Sequence, residues 1–314
     1  MSNTIKEFTQ ELARRVSEQL GENRFIVRSN VVRKVNLELT ALSIIDKEGD
    51  SNISPQVYVN GYYHQYLNSN LEYDDIVNAI IRTYEESKPD EKMDMTFFTD
   101  WEQVKFKVVP RIINTEWNKE LLEDVPHFDV LDLSVCFYVI VSMDKNGMGS
   151  ILVRNEHLAL WNITLDELKK TAFEQNKVFN KAQLESMYNV MKGMLSEQMS
   201  GDLELSEDDL EGMIDALVEE DCEMFVISNN ERMFGAIELL DTELLEKLSQ
   251  KLESDLCLIG SSVHEIIAVK AERSSAEIFA EMIQTVNEEQ VEVSERLTNI
   301  PYFYKRGSRQ IEIM

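Results

Sequence analysis

The chain has 314 residues, of which 58 are acidic and 31 are basic, so its formal net charge at pH 7 is −27. A surface this acidic excludes direct binding to nucleic acid and to anionic membranes, because both need a basic patch that neutralises phosphates. Hydrophobic residues make up 43% of the chain, enough for the core of one large domain or two ordinary ones. The composition therefore predicts a folded, acidic protein.

The cellular location of the protein can be predicted from its N-terminal sequence, its hydropathy and its cysteines. The N-terminal residues lack the basic and apolar regions of a signal peptide, and no window is long and apolar enough to span a membrane. Cys136, Cys222 and Cys257 lie far apart in apolar runs, which is typical of free core thiols in a reducing compartment. We therefore expect a cytoplasmic protein with no membrane contact.

Apolar periodicity predicts the elements of the first part of the chain. In chain order they are a helix over 4–20, two strands within 25–45, a helix over 54–67, a helix over 73–84, a polar linker over 85–94, a strand over 104–113 and a short helix over 117–122. The helix predicted over 54–67 rests on Ser54 as N-cap and Pro55 as first-turn proline.

The rest of the chain alternates strand pairs with helices. The predicted elements are a hairpin over 128–153, a helix from Thr164, a helix over 182–199, strands over 224–228 and 233–239, a helix over 241–252, strands over 256–259 and 265–269, a helix from Ser274 and a hairpin over 302–313. This order lacks strict βαβ alternation and so predicts an α+β fold, with mixed sheets built from hairpins and flanked by helices. A hairpin followed by a helix near 135–176 and again near 223–253 suggests an internal duplication.

Three regions follow from the changes in composition along the chain. They are an N-terminal α+β region over 1–92, a central region of hairpin and helices over 93–200, and an acidic helix with a C-terminal α+β region over 201–314. The alternative is that all three form one continuous fold.

Several short phrases point to a relationship with other proteins. They are Ile53-Ser54-Pro55 with Tyr58, Tyr62, Tyr63 and Tyr66; Asp132-Leu133-Ser134-Val135; 158–163 ahead of Leu165-Asp166-Glu167-Leu168; 224–227 up to Gly235-Ala236; and 261–265 with the C-terminal hairpin. Over roughly residues 25–314 the chain resembles a family known only as a domain of unknown function, found in clostridial gut bacteria and partly on mobile elements. The resemblance implies kinship and no activity.

One polar cluster invites a catalytic hypothesis. Ser261, Ser262, His264 and Glu265 bring hydroxyl, imidazole and carboxylate groups together, as a hydrolase or transferase would need for a nucleophile, a base and an orienting group. Neighbouring strand residues point to opposite faces, however, so His264 and Glu265 cannot easily serve one another. A turn stabilised by the serine hydroxyls is the favoured interpretation.

No cofactor or metal is expected. The chain lacks paired His or Cys at zinc spacing and lacks a glycine-rich phosphate loop. A calcium loop read from Asp202 fails, because Glu207 stands where glycine is needed and Met213 where the bidentate glutamate should be.

The strongest compositional feature is an acidic segment. Residues 193–231 contain thirteen acidic side chains and no Lys or Arg. Its densest part holds Asp202, Glu204, Glu207, Asp208, Asp209 and Glu211. This segment is either a solvated face or a docking face for a basic partner, in which carboxylates imitate phosphates. We expect a non-enzymatic protein that binds a basic macromolecular partner, in one form a nucleic-acid-mimicking inhibitor or anti-defence factor; the alternative is an enzyme that uses His264 with Ser261 or Ser262.

Overall fold

A computed structural model describes residues 4–49, 54–68, 71–88, 95–144, 147–199, 223–271 and 276–314. The fold is α+β, as predicted, with antiparallel sheets flanked by helices. The chain divides into two compact units, Met1–Phe98 and Thr99–Met314. The three predicted regions, 1–92, 93–200 and 201–314, stay a prediction.

The first unit packs helices on a three-stranded antiparallel sheet. Its elements are α1 (Ile5–Leu20), β1 (Phe25–Lys34), β2 (Leu37–Asp46), β3 (Gln56–Tyr58), α2 (Asn60–Leu67) and α3 (Tyr73–Ser87). Thr4 and Glu7 form a capping box at the start of α1, and Gly21 ends the helix with a positive φ of 98°. The face of α1 that carries Phe8 and Leu12 is buried in the core.

The predicted helix over 54–67 is wrong in its first part. Residues 56–58 form β3, which pairs with β2 through Val57 opposite Leu42, and the helix begins only at Asn60. Val57 and Val59 are both buried, so the chain here alternates with the period of a strand. Pairing with β2 therefore overrides the local Ser-Pro pattern.

The second unit contains the remaining elements. They are α4 (Trp101–Val104), β4 (Val108–Asn114), α5 (Lys119–Leu122), β5 (Phe128–Val130), β6 (Leu133–Asp144), β7 (Gly147–Leu152), α6 (Asn155–Trp161), α7 (Leu165–Phe179), β8 (Ala182–Ser186), α8 (Met187–Met199), β9 (Phe225–Asn229), α9 (Thr242–Leu252), β10 (Leu256–Ile259), β11 (Ile266–Lys270), α10 (Ala276–Glu289), β12 (Tyr302–Lys305) and β13 (Gln310–Ile313). Short 3₁₀ helices cover Thr96–Thr99, Glu116–Asn118, Gly235–Leu240 and Val293–Glu295, the first of them at the junction of the two units.

The described strands of this unit form two antiparallel sheets. The smaller has the order β4-β6-β5, with β7 also paired to β6, and the larger has the order β13-β12-β10-β11-β9-β8. Asp132, in the turn before β6, links the two sheets, because its carboxylate accepts hydrogen bonds from Thr298 Oγ1 at 2.8 Å and from the Tyr302 hydroxyl at 2.7 Å.

Two predicted elements of this unit have the wrong type. Residues 182–186 were expected in a helix but form β8, which pairs with β9 from Ala182 opposite Asn229 to Ser186 opposite Phe225. Residues 233–239 were expected as a strand but give the 3₁₀ helix Gly235–Leu240. This segment is buried on all sides, and such a run cannot be assigned to helix or strand from periodicity.

The predicted internal duplication is wrong, because its second copy lacks the hairpin. In the described part of the chain β9 pairs with β8 and β11, so 224–239 is not a hairpin. Gly235 is needed at the start of the 3₁₀ helix, because a Cβ there would lie 2.7 Å from the His264 carbonyl oxygen and 2.8 Å from the Asn229 nitrogen. Phe234 precedes it in the left-handed region with φ of 57°.

Candidate functional site

The negative charge is concentrated in the second unit. Residues 1–98 hold 16 acidic against 11 basic side chains, for a net −5, whereas residues 99–314 hold 42 against 20, for a net −22. The predicted partner-binding residues all lie outside the described residues: Asp202, Glu204, Glu207, Asp208, Asp209 and Glu211. They contribute to the charge of the second unit by sequence alone.

Helix α10 exposes an apolar stripe. Ile278, Met282 and Val286 follow one another at steps of four residues, and their exposed fractions are 66%, 44% and 37%. The opposite side of the helix is buried, with Ile283 packed against Cys257 of β10. An apolar row exposed on a helix that already has a buried side is typical of an interaction surface.

An acidic stripe runs beside this apolar stripe. Glu277, Glu281 and Glu288 fall on one side of α10, because a helix turns by about 100° per residue and the spacings of four and seven residues bring them into line. None of the three makes an ion pair with any residue that the structure describes. We call the two rows together the α10 face; the sequence predicted this helix but not its second, exposed apolar row.

The cluster of the alternative, catalytic hypothesis connects three segments of the chain. His264 Nδ1 accepts a hydrogen bond from the Phe234 backbone N–H at 3.2 Å, and His264 Nε2 lies 3.5 Å from Glu295 Oε1. The backbone N–H of His264 donates to Ser262 Oγ at 3.2 Å. The Phe234 N–H leaves Nδ1 unprotonated, so the neutral ring carries its proton on Nε2, toward Glu295.

This geometry separates the groups that a nucleophile and its base would need to share. Among the described residues, no hydrogen bond joins the His264 ring to Ser261 or Ser262. Glu265 instead lines a shallow depression with Arg232. The carboxylate that faces His264 is Glu295, which lies 31 residues further along the chain and was missed by sequence reasoning.

Phe234 connects the His264 cluster to the smaller sheet. Its ring packs against the His264 ring with centroids 5.2 Å apart, and the guanidinium carbon of Arg111, on β4, lies 3.6 Å from the centroid of the Phe234 ring. Arg111 also lies over the Tyr138 ring at 4.1 Å. Burial lowers the pKa of Arg111 to about 10, which leaves the side chain charged at neutral pH.

A buried carboxyl group lines a cavity in the second unit. Glu238, on the 3₁₀ helix, is only 6% exposed and borders a cavity of about 540 Å³. Burial raises the pKa of Glu238 to about 7, and a hydrogen bond from Asn176 acts in the opposite direction. Sequence reasoning missed this group, although one glutamate inside the apolar run 234–240 could have indicated it.

The chain matches a known protein family along nearly its whole length. A model of a family of unknown function (DUF5688) matches residues 5–306. The chain belongs to this family. The family resemblance inferred from sequence phrases is thereby confirmed at the level of a family of unknown function. No curated protein and no solved structure matches the chain.

Two features of this DUF5688 member concern membranes and metals. No described helix combines the length and the apolarity needed to cross a membrane. Within the same residues, no group of three or more His, Cys, Asp or Glu side chains is arranged to hold a metal ion.

Proposed function

We propose that this protein is a non-enzymatic binding protein whose partner is a basic protein that docks on the α10 face. The observation that carries the proposal is the pair of adjacent rows on that helix. Ile278, Met282 and Val286 offer apolar contact, and Glu277 and Glu281 border them with charge that no described residue pairs.

The two rows specify the chemistry of the partner. An apolar row beside an acidic row is complementary to an amphipathic helix whose apolar side chains are bordered by Lys or Arg. A second copy of this chain is a poor occupant, because each copy carries a net charge of −27 and the like charges repel. The occupant we propose is therefore a basic amphipathic helix of another protein.

The densest part of the acidic segment, residues 202–211, serves a different step in the same function. Its charges act at long range and accelerate encounter with a basic surface, while the apolar row of the α10 face governs dissociation. Exchange of Glu207, Asp208, Asp209 and Glu211 for Gln or Asn should slow association, most strongly at low salt, because exposed charges more than about 8 Å apart are screened at physiological ionic strength.

A synthetic amphipathic peptide of Leu and Lys, labelled with a fluorophore, tests the apolar row by anisotropy with the full-length protein. The variant Ile278→Ala, Met282→Ala, Val286→Ala should bind the peptide at least about tenfold more weakly, since apolar contact area is lost on one face. Circular dichroism should be unchanged, because alanine preserves the helix and all three side chains are exposed.

The matched control removes exposed apolar side chains elsewhere in the same unit. Val178 on α7 and Leu160 on α6 are as exposed as the α10 residues, so Val178→Ala, Leu160→Ala should leave peptide affinity within about threefold of wild type. Equal losses in the control and α10 variants would contradict a docking site on α10.

The acidic row has its own test. Glu277→Gln, Glu281→Gln, Glu288→Gln should lower the association rate and flatten its dependence on salt, because the row steers the peptide. A control with the same loss of charge replaces Glu174, Glu243 and Glu253 by Gln, which lie exposed on or at the ends of other helices. If both triple variants slowed association equally, only total charge would matter.

We propose that the protein acts in the cytoplasm of a clostridial gut bacterium, and that some genes of its family are carried on mobile elements, as the sequence resemblance implies. Free, buried Cys136 and Cys257 support a reducing compartment. A partner whose basic surface binds nucleic acid would make the protein a nucleic-acid-mimicking inhibitor or anti-defence factor. Competition between the protein and duplex DNA for one recovered partner tests this form.

The enzymatic alternative makes a different prediction. A hydrolase or transferase that uses His264 with Ser261 or Ser262 has an activated serine, which a fluorophosphonate probe would label. We expect no labelling, because the His264 ring nitrogens face the Phe234 N–H and Glu295. Labelling at either serine that disappears in His264→Ala would favour the enzyme.

A further inference from the structure

Three polar side chains that line the cavity, Glu238, Asn176 and Asn180, are joined by hydrogen bonds, and we call them its floor. Asn176 Nδ2 donates to Glu238 Oε1 at 2.9 Å, and Asn180 Nδ2 donates to Asn176 Oδ1 at 2.9 Å. A carboxylate only accepts, which orients both amides in turn. Besides the second N–H of each amide, two acceptors then remain, Glu238 Oε2 and Asn180 Oδ1, and neither oxygen is hydrogen-bonded to any described residue.

The other side chains that line the cavity include apolar ones, which we call the wall, and charged ones, which we call the rim. The wall consists of Phe173, Ile237 and Leu240. The volume of about 540 Å³ lies within the range of small-molecule sites, which is roughly 300–1,000 Å³. A ligand that fits must bring hydrogen-bond donors to the floor and aliphatic groups to the wall.

We infer that this cavity binds a small molecule that carries a primary ammonium group on an aliphatic chain. The ammonium group supplies three donors for a floor that offers acceptors and neutralises the buried Glu238 carboxylate. This site is independent of the α10 face and goes beyond the proposed function.

The charged groups around Glu238 shape the ligand further. Lys177 on α7 and Lys181 after it line the cavity, and so do Asp241 and Glu243 at the start of α9. Asp241 is already engaged, because its Oδ1 accepts the backbone N–H groups of Glu243 and Leu244. The two lysines disfavour a second ammonium group at the far end of the ligand, so a carboxylate there should bind better.

Binding should depend on pH. Lys177 lowers and Asp241 raises the pKa of Glu238, and burial dominates to give about 7. An aliphatic ammonium with a pKa near that of lysine, about 10.4, stays charged throughout the neutral range. Affinity should therefore rise between about pH 6 and about pH 8 as the carboxyl group ionises, with a proton released on binding.

Calorimetric titration of the full-length protein with ε-aminocaproate, cadaverine and caproate tests the inference at physiological salt. We expect saturable binding of the first, weaker binding of the second and none of the third, which lacks the ammonium group. Glu238→Gln should weaken ε-aminocaproate binding at least about tenfold, because the ion pair is lost.

Glu243→Gln is the matched control, since it removes one charge from the rim of the same cavity and leaves the floor intact. It should bind within about threefold of wild type. Absence of saturable binding to both amines, or equal effects of the two substitutions, would overturn the inference. Glu238→Gln retains the acceptor for Asn176, so circular dichroism should show a folded protein.

Discussion

Glu238 makes a contribution to stability that depends on pH. Burial raises its pKa from 4.5 to about 7, so the native state holds a proton that the unfolded chain releases over that interval. The stabilising protonated form is therefore complete below about pH 4.5 and is lost as pH rises through about 7. The shift corresponds to about 3 kcal/mol of unfolding free energy.

Denaturant unfolding of wild type and Glu238→Gln from about pH 5 to about pH 8 measures this contribution. The variant should become more stable relative to wild type as pH rises, because glutamine is never ionised. The general repulsion within a chain of charge −27 affects both proteins and cancels in the difference. A constant difference across this interval would show that Glu238 titrates like an exposed carboxyl group.

The cysteines should be unreactive in the native protein. Cys136 and Cys257 are free and buried, and burial raises the pKa of each thiol to about 12, so the reactive thiolate is scarce. We expect slow maleimide labelling of both in the native state and fast labelling in denaturant, followed by mass spectrometry of the labelled peptides. Fast native labelling of either would point to local opening of its strand.

For single residues, the sequence predicted burial and local turns better than it predicted contacts between side chains that lie far apart in the chain. Burial of Cys136 and Cys257 followed from apolar neighbours, and the Ser262 turn followed from its polar cluster. The contact of His264 with Glu295 depends on a chain reversal over 31 residues, which no local pattern encodes. The buried role of Glu238 likewise depends on Asn176 from a distant helix.

Among the elements, those with strong local patterns were predicted correctly. The helix α1 and the strands β1 and β2 follow from the apolar spacing within each segment. Errors arose at β3 and β8, two short segments whose conformation is decided by a partner strand. The exposed row on α10 was missed because the helix was predicted only from its capping residues.

The link between the two sheets at Asp132 should carry a measurable coupling energy. Tyr302 donates its hydroxyl to this carboxylate at 2.7 Å, and burial is the main reason that the pKa of Tyr302 is raised. In a double-mutant cycle of Asp132→Ala and Tyr302→Phe, urea unfolding should give a coupling of about 1–3 kcal/mol, as expected for a hydrogen bond to a charged group.

Tyr304→Phe supplies the control for this cycle. Its hydroxyl donates to Glu246 Oε2 at 2.7 Å rather than to Asp132. The effects of Tyr304→Phe and Asp132→Ala should therefore add, to within about 0.5 kcal/mol. Strict additivity in the Tyr302 cycle as well would mean that the two sheets are not joined through Asp132.

For the molecule as a whole, the unequal charge of the two units predicts unequal responses to salt. The second unit has a net charge of −22 and the first −5, so screening should relieve more repulsion in the second. All three tryptophans, Trp101, Trp117 and Trp161, lie in the second unit, and their emission follows it alone.

Urea unfolding at low and high sodium chloride tests this difference, with tryptophan emission for the second unit and pulse-labelling hydrogen exchange for the first. The midpoint should rise with salt in both units and rise more in the second. A larger shift in the first unit would contradict the assignment of repulsion to net charge.

The pairing of β8 with β9 has a consequence for chain continuity. Five residue pairs join 182–186 to 225–229, so the larger sheet is assembled from both sides of residues 200–222. Asp132 and Tyr302 add a second tie between the same two parts of the chain. We therefore expect these non-covalent contacts to hold the two parts together without the covalent connection through 200–222. Co-expressed as separate polypeptides, 1–199 and 223–314 should reassociate by fragment complementation and elute as one complex.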